Sequence, residues 1–187
     1  VRNLAVSAGM VKILKGKGHF DKEKFWHHTV AVAFLSKVIA DFIKYPNSEV
    51  AFVSGLLHDI SKVFLDLYFP NEFKEAVEKS KETGMSLVEA EIEILGYDHG
   101  AIGKRLADSW NLPKSIVAPI AYHHDLEKNI YPEYENLVAI ISLADTLVRL
   151  KKVGESGNYG KTIVSLKIMK ILKLSKEQIP QILKEFD

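Results

Sequence analysis

GLLHDISK, residues 55–62, sets a histidine and an aspartate side by side in a stretch that otherwise reads as a buried helix. At 100° per residue, Val53, Leu56, Ile60, Phe64 and Leu67 share one face, while Ala51, Gly55, His58, Asp59 and Lys62 fall toward another. The small side chains at 51 and 55 predict close approach by a neighbouring helix at the place where His58 and Asp59 project. Adjacent His-Asp on a helix offers two ligand types about a quarter-turn apart, suited to a borderline-hard divalent ion. Lys62, one turn on, has two readings: an i,i+3 ion pair with Asp59, or a contact to a phosphate oxygen.

Working outward, the preceding helix carries FWHHTVAVA, residues 25–33. His28 lies on the stripe Phe25, His28, Val32, Leu35, Ile39 and Phe42, which points inward; His27 lies on a more mixed face with Lys24, Val30, Phe34 and Asp41. An inward histidine is ordinarily a satisfied core residue, and a neighbouring helix offering His-Asp turns it into a ligand candidate. Downstream, LVAIISLADTLV (residues 137–148) is apolar nearly throughout, with Asp145 in its middle. A buried carboxylate needs positive compensation, and either Arg149 at i+4 or a metal ion supplies it. His99 opens a helix in DHGAIG, and His123 and His124 flank the apolar stripe of Ile116, Val117 and Ile120; each has a bland reading at a helix end. Six of the seven histidines thus fall, with Asp59 and Asp145, at helix ends or buried faces, and His19 in a polar turn is left out.

Punctuation predicts helices almost throughout, and no period-two alternation marks a strand. They run over about 2–15 (stopped by GKG at 16–18), 21–44, 48–68 with Ser48 as cap, and 71–83. Next come 86–96 with a Ser86/Glu89 capping box, 98–110, 113–124 with Pro119 as a kink, 133–152, 162–173 and 175–186. GESGNYG, residues 154–160, reads as a flexible loop, and residues 161–187 as a C-terminal helical appendage to a single domain spanning 1–187. The 47% hydrophobic content supports a packed core, and 25 basic against 24 acidic residues leave no broad field for a nucleic-acid polymer. There is no cysteine and no apolar run long enough to span a bilayer. A soluble, cytoplasmic protein without a membrane partner is expected; its oligomeric state is open.

With these residues in hand, the sequence resembles the HD superfamily of metal-dependent phosphohydrolases, and more closely its HDOD subfamily, a relative of the HD-GYP phosphodiesterases. FWHHTVAVA, AFVSGLLHDISKVFLDLYFP, SLVEAEIEILGYDHGAIGKRLADSWNLP, IAYHHD and AIISLADTL carry the likeness over about residues 1–158. It implies an all-α helical bundle with a central metal cleft. His28, His58, Asp59 and Asp145 match the basic metal set, and His99, His123 and His124 match positions that extend it to a second ion. The cofactor implied is one or two divalent ions (Fe, Mn, Ni, Zn or Mg). Three departures stand out. Ser61 replaces the glycine of HDIGK, no GYP follows His124, and the chain begins partway into the family's domain, so an N-terminal helical part is expected to be missing.

Two functions are weighed. One is a phosphohydrolase of signal transduction acting on nucleotides or other small phosphoesters, with Asp59 and Lys62 as catalytic residues and the ions activating water and polarising a phosphoryl oxygen. The other is a non-catalytic HDOD signalling module that contacts a protein partner, its metal structural or vestigial. A helical domain with satisfied histidines and no metal is the bland alternative.

Overall fold

In the computed structural model, which describes residues 21–186, every regular element is helical. The architecture expected from periodicity is the one found, a helical bundle. Helix α1 (Lys22–Phe42) starts where the Asp21 carboxylate accepts the Lys24 N–H at 3.1 Å. Its predicted stripe is buried at Phe25, His28, Val32, Leu35 and Ile39, and Ala33, Ser36 and Ala40 add a second buried face. Two faces are covered because α1 packs both on α2 (Ser48–Leu57) and on α8 (Glu135–Lys151). No helix among the described residues is long and apolar enough to cross a membrane. The expected first helix and its GKG stop lie outside the described residues.

The segment 48–68 is not one helix. It divides into α2 and α3 (Ile60–Tyr68) at His58-Asp59, where Asp59 leaves helical geometry at φ −106°, ψ 15°. The His58 ring takes over a local backbone acceptor, its Nδ1 lying 2.7 Å from the Gly55 carbonyl. A local side-chain bond of this kind competes with helix propagation. The cap is also shifted by one: Asn47, not Ser48, accepts the Val50 N–H. The small face holds as expected. A Cβ on Gly55 would sit 2.8 Å from Ala33 Cα, so only glycine lets α1 and α2 approach this closely.

Helices α4 (Pro70–Thr83), α5 (Leu87–Leu95), α6 (His99–Ser109) and α7 (Lys114–Tyr122) follow in order. The Ser86/Glu89 capping box and the Asp98 cap form as read. Pro119 lies inside α7 and has no N–H for the Ser115 carbonyl; that oxygen instead accepts the Ser54 hydroxyl of α2 at 3.3 Å. Short 3-10 turns at Leu126–Lys128 and Pro132–Tyr134 delay α8 by two residues. The expected helix 162–173 shrinks to α9 (Leu166–Ile171), and 175–186 becomes a 3-10 turn, Lys176–Gln178, leading into α10 (Ile179–Phe186).

Three apolar clusters stabilise the bundle. The largest joins α1 and α8 to the tail through Leu35, Ile39, Ile140, Leu143, Ile168 and Ile182. A second holds Leu57, Ile60, Ala107, Val117 and Ile120, and a third Leu65, Phe73, Ala76, Leu87 and Ala90. A polar seam of histidines and carboxylates runs where helices from these clusters meet.

Residues 154–160 are not a loose loop. Gly154, at φ 65°, lies so close to α1 that a Cβ would collide with the His28 backbone. The Glu155 N–H bonds the Lys24 carbonyl at 3.0 Å, Asn158 Oδ1 accepts the first N–H of α5 at 3.2 Å, and the Tyr159 N–H bonds Ser80 Oγ at 3.1 Å. This strap is a loop tied to the bundle, with Ser156, Gly157 and Gly160 buried and Tyr159 exposed.

A Gly55→Val substitution inserts atoms into the α1–α2 contact and is expected to cost about 2–3 kcal/mol. Thermal unfolding read by circular dichroism should show a loss of roughly 5–10 °C, and an unchanged midpoint would contradict the close approach.

Candidate metal centre

Asp59 is the hub. Freed from the helix at the α2–α3 junction, its carboxylate faces three imidazoles: His58 Nε2 at 3.2 Å, His99 Nε2 at 3.3 Å and His123 Nε2 at 3.5 Å. Beside it, His28 Nε2 of α1 lies 3.1 Å from Asp145 Oδ1 of α8. All six side chains are buried. The sequence places them on separate helices, and the fold brings them to one point.

The opposite edge of each ring decides its chemistry. His58 Nδ1 meets the Gly55 carbonyl at 2.7 Å, and His123 Nδ1 meets the Pro119 carbonyl at 2.9 Å. A carbonyl only accepts, so in both rings Nδ1 carries a proton, and whenever the ring is neutral its Nε2 points a lone pair at Asp59. His99 Nδ1 is held by the Glu91 carboxylate at 2.6 Å, and the same oxygen accepts the His99 backbone N–H at 2.8 Å. The inner atoms are left without hydrogen-bond partners: Nε2 of His28, His58, His99 and His123, and Oδ1 of Asp59 and Asp145. With the His58, His99 and His123 rings neutral, acceptors face acceptors at 3.2–3.5 Å in a buried site and repel one another. Outward-bonded Nδ1 with an inward lone pair is the arrangement that metal-ligating histidines adopt.

Two groups of donor atoms lie mutually close enough to hold an ion. His28, His58 and Asp59 form one; Asp59, His99, His123 and His124 form the other. Asp59 belongs to both and is the natural bridge. His124 differs in being exposed, its ring 4.0 Å from His123 and 4.8 Å from His99 between centroids. Asp145 falls outside both groups and touches the centre through His28. Arg149, offered as its compensating partner, instead donates Nη2 to the carbonyls of Asn158 at 3.2 Å and Gly160 at 2.9 Å. Lys62 takes up the ion pair: its ammonium lies 2.6 Å from Asp59 Oδ2 and donates to the Ser156 carbonyl at 3.0 Å. His27 is exposed and apart from the centre, and His19 lies outside the described residues.

Electrostatics follow from this packing. Burial works against the Asp59 carboxylate, yet the charges of His58 and Lys62 and the surrounding imidazoles hold it well below the usual carboxylate range. Burial likewise opposes ionised Asp145, and His28 outweighs it and pulls the carboxyl far down. For His58, burial disfavours the imidazolium, but Asp59 and Asp145 lift its pKa above the ordinary value. Burial depresses His123, with His58 and His99 adding to the effect. Both aspartates therefore stay anionic through the neutral range, and only protons on imidazole compete with a cation.

Three supporting residues escaped the sequence reading. Glu91 is buried where Glu89 and Glu93 of the same helix are exposed; its i+4 spacing from buried Leu87 was the available signal. Ser61, the departure from HDIGK, donates its hydroxyl to the His99 carbonyl and ties α3 to α6 beside the centre. Ser156 had no signal, because its role depends on the strap. Glu91→Gln keeps the volume and weakens the charge-assisted bond that orients His99, so metal affinity is expected to fall about 10- to 100-fold. Competition against a chromophoric chelator measures this, and unchanged affinity with Glu91→Gln would remove Glu91 from the site.

Comparison with known proteins places this geometry. The HDOD domain family model matches residues 1–126. An uncharacterised protein of Treponema pallidum (strain Nichols) is 24% identical over 153 residues, 80% of this chain and 29% of its own length, so the chain spans under a third of that relative. The crystal structure of an HDOD domain protein of unknown function from Geobacter sulfurreducens superposes with a TM-score of 0.77 at 27% identity, covering 95% of this chain and 66% of that one. The HD domain of the L. monocytogenes phosphodiesterase PgpH, in complex with cyclic-di-AMP, shares the fold at a TM-score of 0.50 and 18% identity, covering 88% of this chain and 89% of that one. The chain belongs to the HDOD domain family, within a fold shared with HD-domain phosphohydrolases.

Proposed function

We propose that this protein is a metal-dependent phosphohydrolase of HD type, acting on nucleotides or small phosphoesters in signal transduction. His28, His58, Asp59 and Asp145 would hold one divalent ion, and Asp59, His99, His123 and His124 a second. The observation that carries this reading is the set of four buried Nε2 atoms without partners around two ionised carboxylates. Their mutual repulsion is relieved by a divalent cation, with which only protons on the imidazoles compete. A bound divalent ion supplies Lewis acidity, acidifying water and drawing charge from a phosphoryl oxygen.

The protein's own groups do the remainder. The Gly55 and Pro119 carbonyls and Glu91 fix the rings so that no reorganisation is needed when charge develops. Lys62 neutralises one oxygen of Asp59 and, through Ser156, holds that carboxylate in place. Two cavities, of about 400 and about 330 Å³, share His123, His124, Asp125 and Arg149 and reach the centre past the exposed His124 ring. This size suits a nucleotide-scale ligand. The cyclic-dinucleotide complex of the PgpH domain supports a phosphodiester as the substrate class.

One observation favours a second reading, the non-catalytic module with a protein partner: the Lys62 ammonium is occupied by Asp59 and Ser156 rather than free for a phosphate. Metal content and turnover separate the two. Protein purified without chelator and supplied with Mn(II) or Fe(II) is expected to hydrolyse bis(p-nitrophenyl) phosphate. Asp59→Asn, folded by circular dichroism, should lose its metal and at least about 100-fold of the rate. Metal bound with no turnover on a broad phosphoester panel would favour the module, and absence of bound metal would sink the phosphohydrolase reading.

Metal uptake should depend on pH with a defined sign. Only neutral imidazole ligates, and His58 holds its proton above the ordinary range, so affinity should rise with pH through neutrality. Titration of chelator-stripped protein is expected to give at least about tenfold weaker binding at pH 6 than at pH 8. A pH-independent affinity would contradict imidazole ligation.

A further inference from the structure

The larger cavity beside the centre has a cationic wall that the metal chemistry does not use. Lys104, Lys128, Arg149 and Lys161 line it, opposite His124. Two of these are neutralised: Lys104 pairs with Asp108 at 2.8 Å and Lys128 with Asp125 at 3.2 Å. Asp98, on the same wall, is committed to the Ala101 N–H as a helix cap. Arg149 and Lys161 have no carboxylate within ion-pair distance among the described residues. Arg149 is also held still. One of its terminal nitrogens is fixed by the carbonyls of Asn158 and Gly160, which sets the plane of the guanidinium and leaves its other N–H groups to the cavity. Lys161 follows Gly160, whose carbonyl accepts from the Arg149 guanidinium, and both cations line the same cavity.

A pre-set guanidinium with a second free cation, next to a site reading as a phosphoryl centre, is suited to a second anionic group on the same ligand. The geometry points to a substrate or effector carrying two phosphate groups, one held at the His124 end and the other by Arg149 and Lys161. This rests on the phosphohydrolase reading for the first phosphate only.

Binding isotherms on the full chain as purified without chelator, with released phosphate followed to correct for turnover, test it with adenosine 3′,5′-bisphosphate and AMP as probes. The wild type is expected to bind the bisphosphate about tenfold more tightly than AMP, and this ratio should fall to about one in Lys161→Glu and in Arg149→Gln. Arg149→Gln also releases the strap; Lys161 is exposed, so its variant keeps the test sharp. Equal affinity of the wild type for both probes, binding of neither, or a ratio preserved in Lys161→Glu would overturn the proposal. Because the readout is a ratio of affinities and needs no catalysis, it can fail while the metal-centre reading stands, and it can succeed where hydrolysis is absent.

Discussion

The Asp59 carboxylate, buried and facing three imidazole nitrogens, is the interaction around which the rest of the molecule is arranged. Removing a carboxylate from water costs several kcal/mol, and a net hydrogen bond returns about 1 kcal/mol. The bonds that hold the outer edges of His58, His99 and His123 therefore orient the site rather than compensate it. Compensation falls to positive charge: Lys62 on one oxygen of Asp59, while the other faces the imidazoles of His99 and His123. The same asymmetry explains why α2 and α3 are two helices. In one continuous helix, residues 58 and 59 would point about 100° apart; the break turns both toward the common centre.

The strap 154–160 is the second constraint. It receives Lys62 through Ser156, Arg149 through Asn158 and Gly160, and the first turn of α5 through Asn158. Since α5 carries Glu91, and Glu91 orients His99, one irregular segment links the charge partner of Asp59, the cationic wall of the cavity and a ligand's support. Its glycine at 154 is needed for contact with α1 next to His28. A segment of this composition reads as a surface loop only because its partners are far away in the sequence.

Much of the centre was legible because it rests on local periodicity. The stripe through His28 is buried as read, the small residues at 51 and 55 face α1, and Asp145 lies within an apolar helix where a lone carboxylate is conspicuous. Helix caps at Asp21, Ser86 and Asp98 are likewise local chemistry and form as their side chains dictate. What escaped depends on tertiary partners. The break at 58–59 arises from a ring-to-carbonyl bond that propensity does not encode. Arg149 was a plausible partner for Asp145 at i+4, yet two strap carbonyls claim it. Glu91 resembled the exposed glutamates on either side until its carboxylate was seen to meet His99 at the start of α6.

Each outward support lies close to its own histidine. The Gly55 carbonyl is three residues before His58, the Pro119 carbonyl four before His123, and Glu91 eight before His99 across a single turn. Ring orientation for these three is thus set within one helix or one helix pair. The three apolar clusters bring the rings together, so the tertiary fold supplies position and the local bonds supply direction. This division makes the centre preorganised. Binding energy from a cation or a phosphate is not consumed in turning side chains, and it remains available to offset the electrostatic cost of holding two carboxylates in the interior.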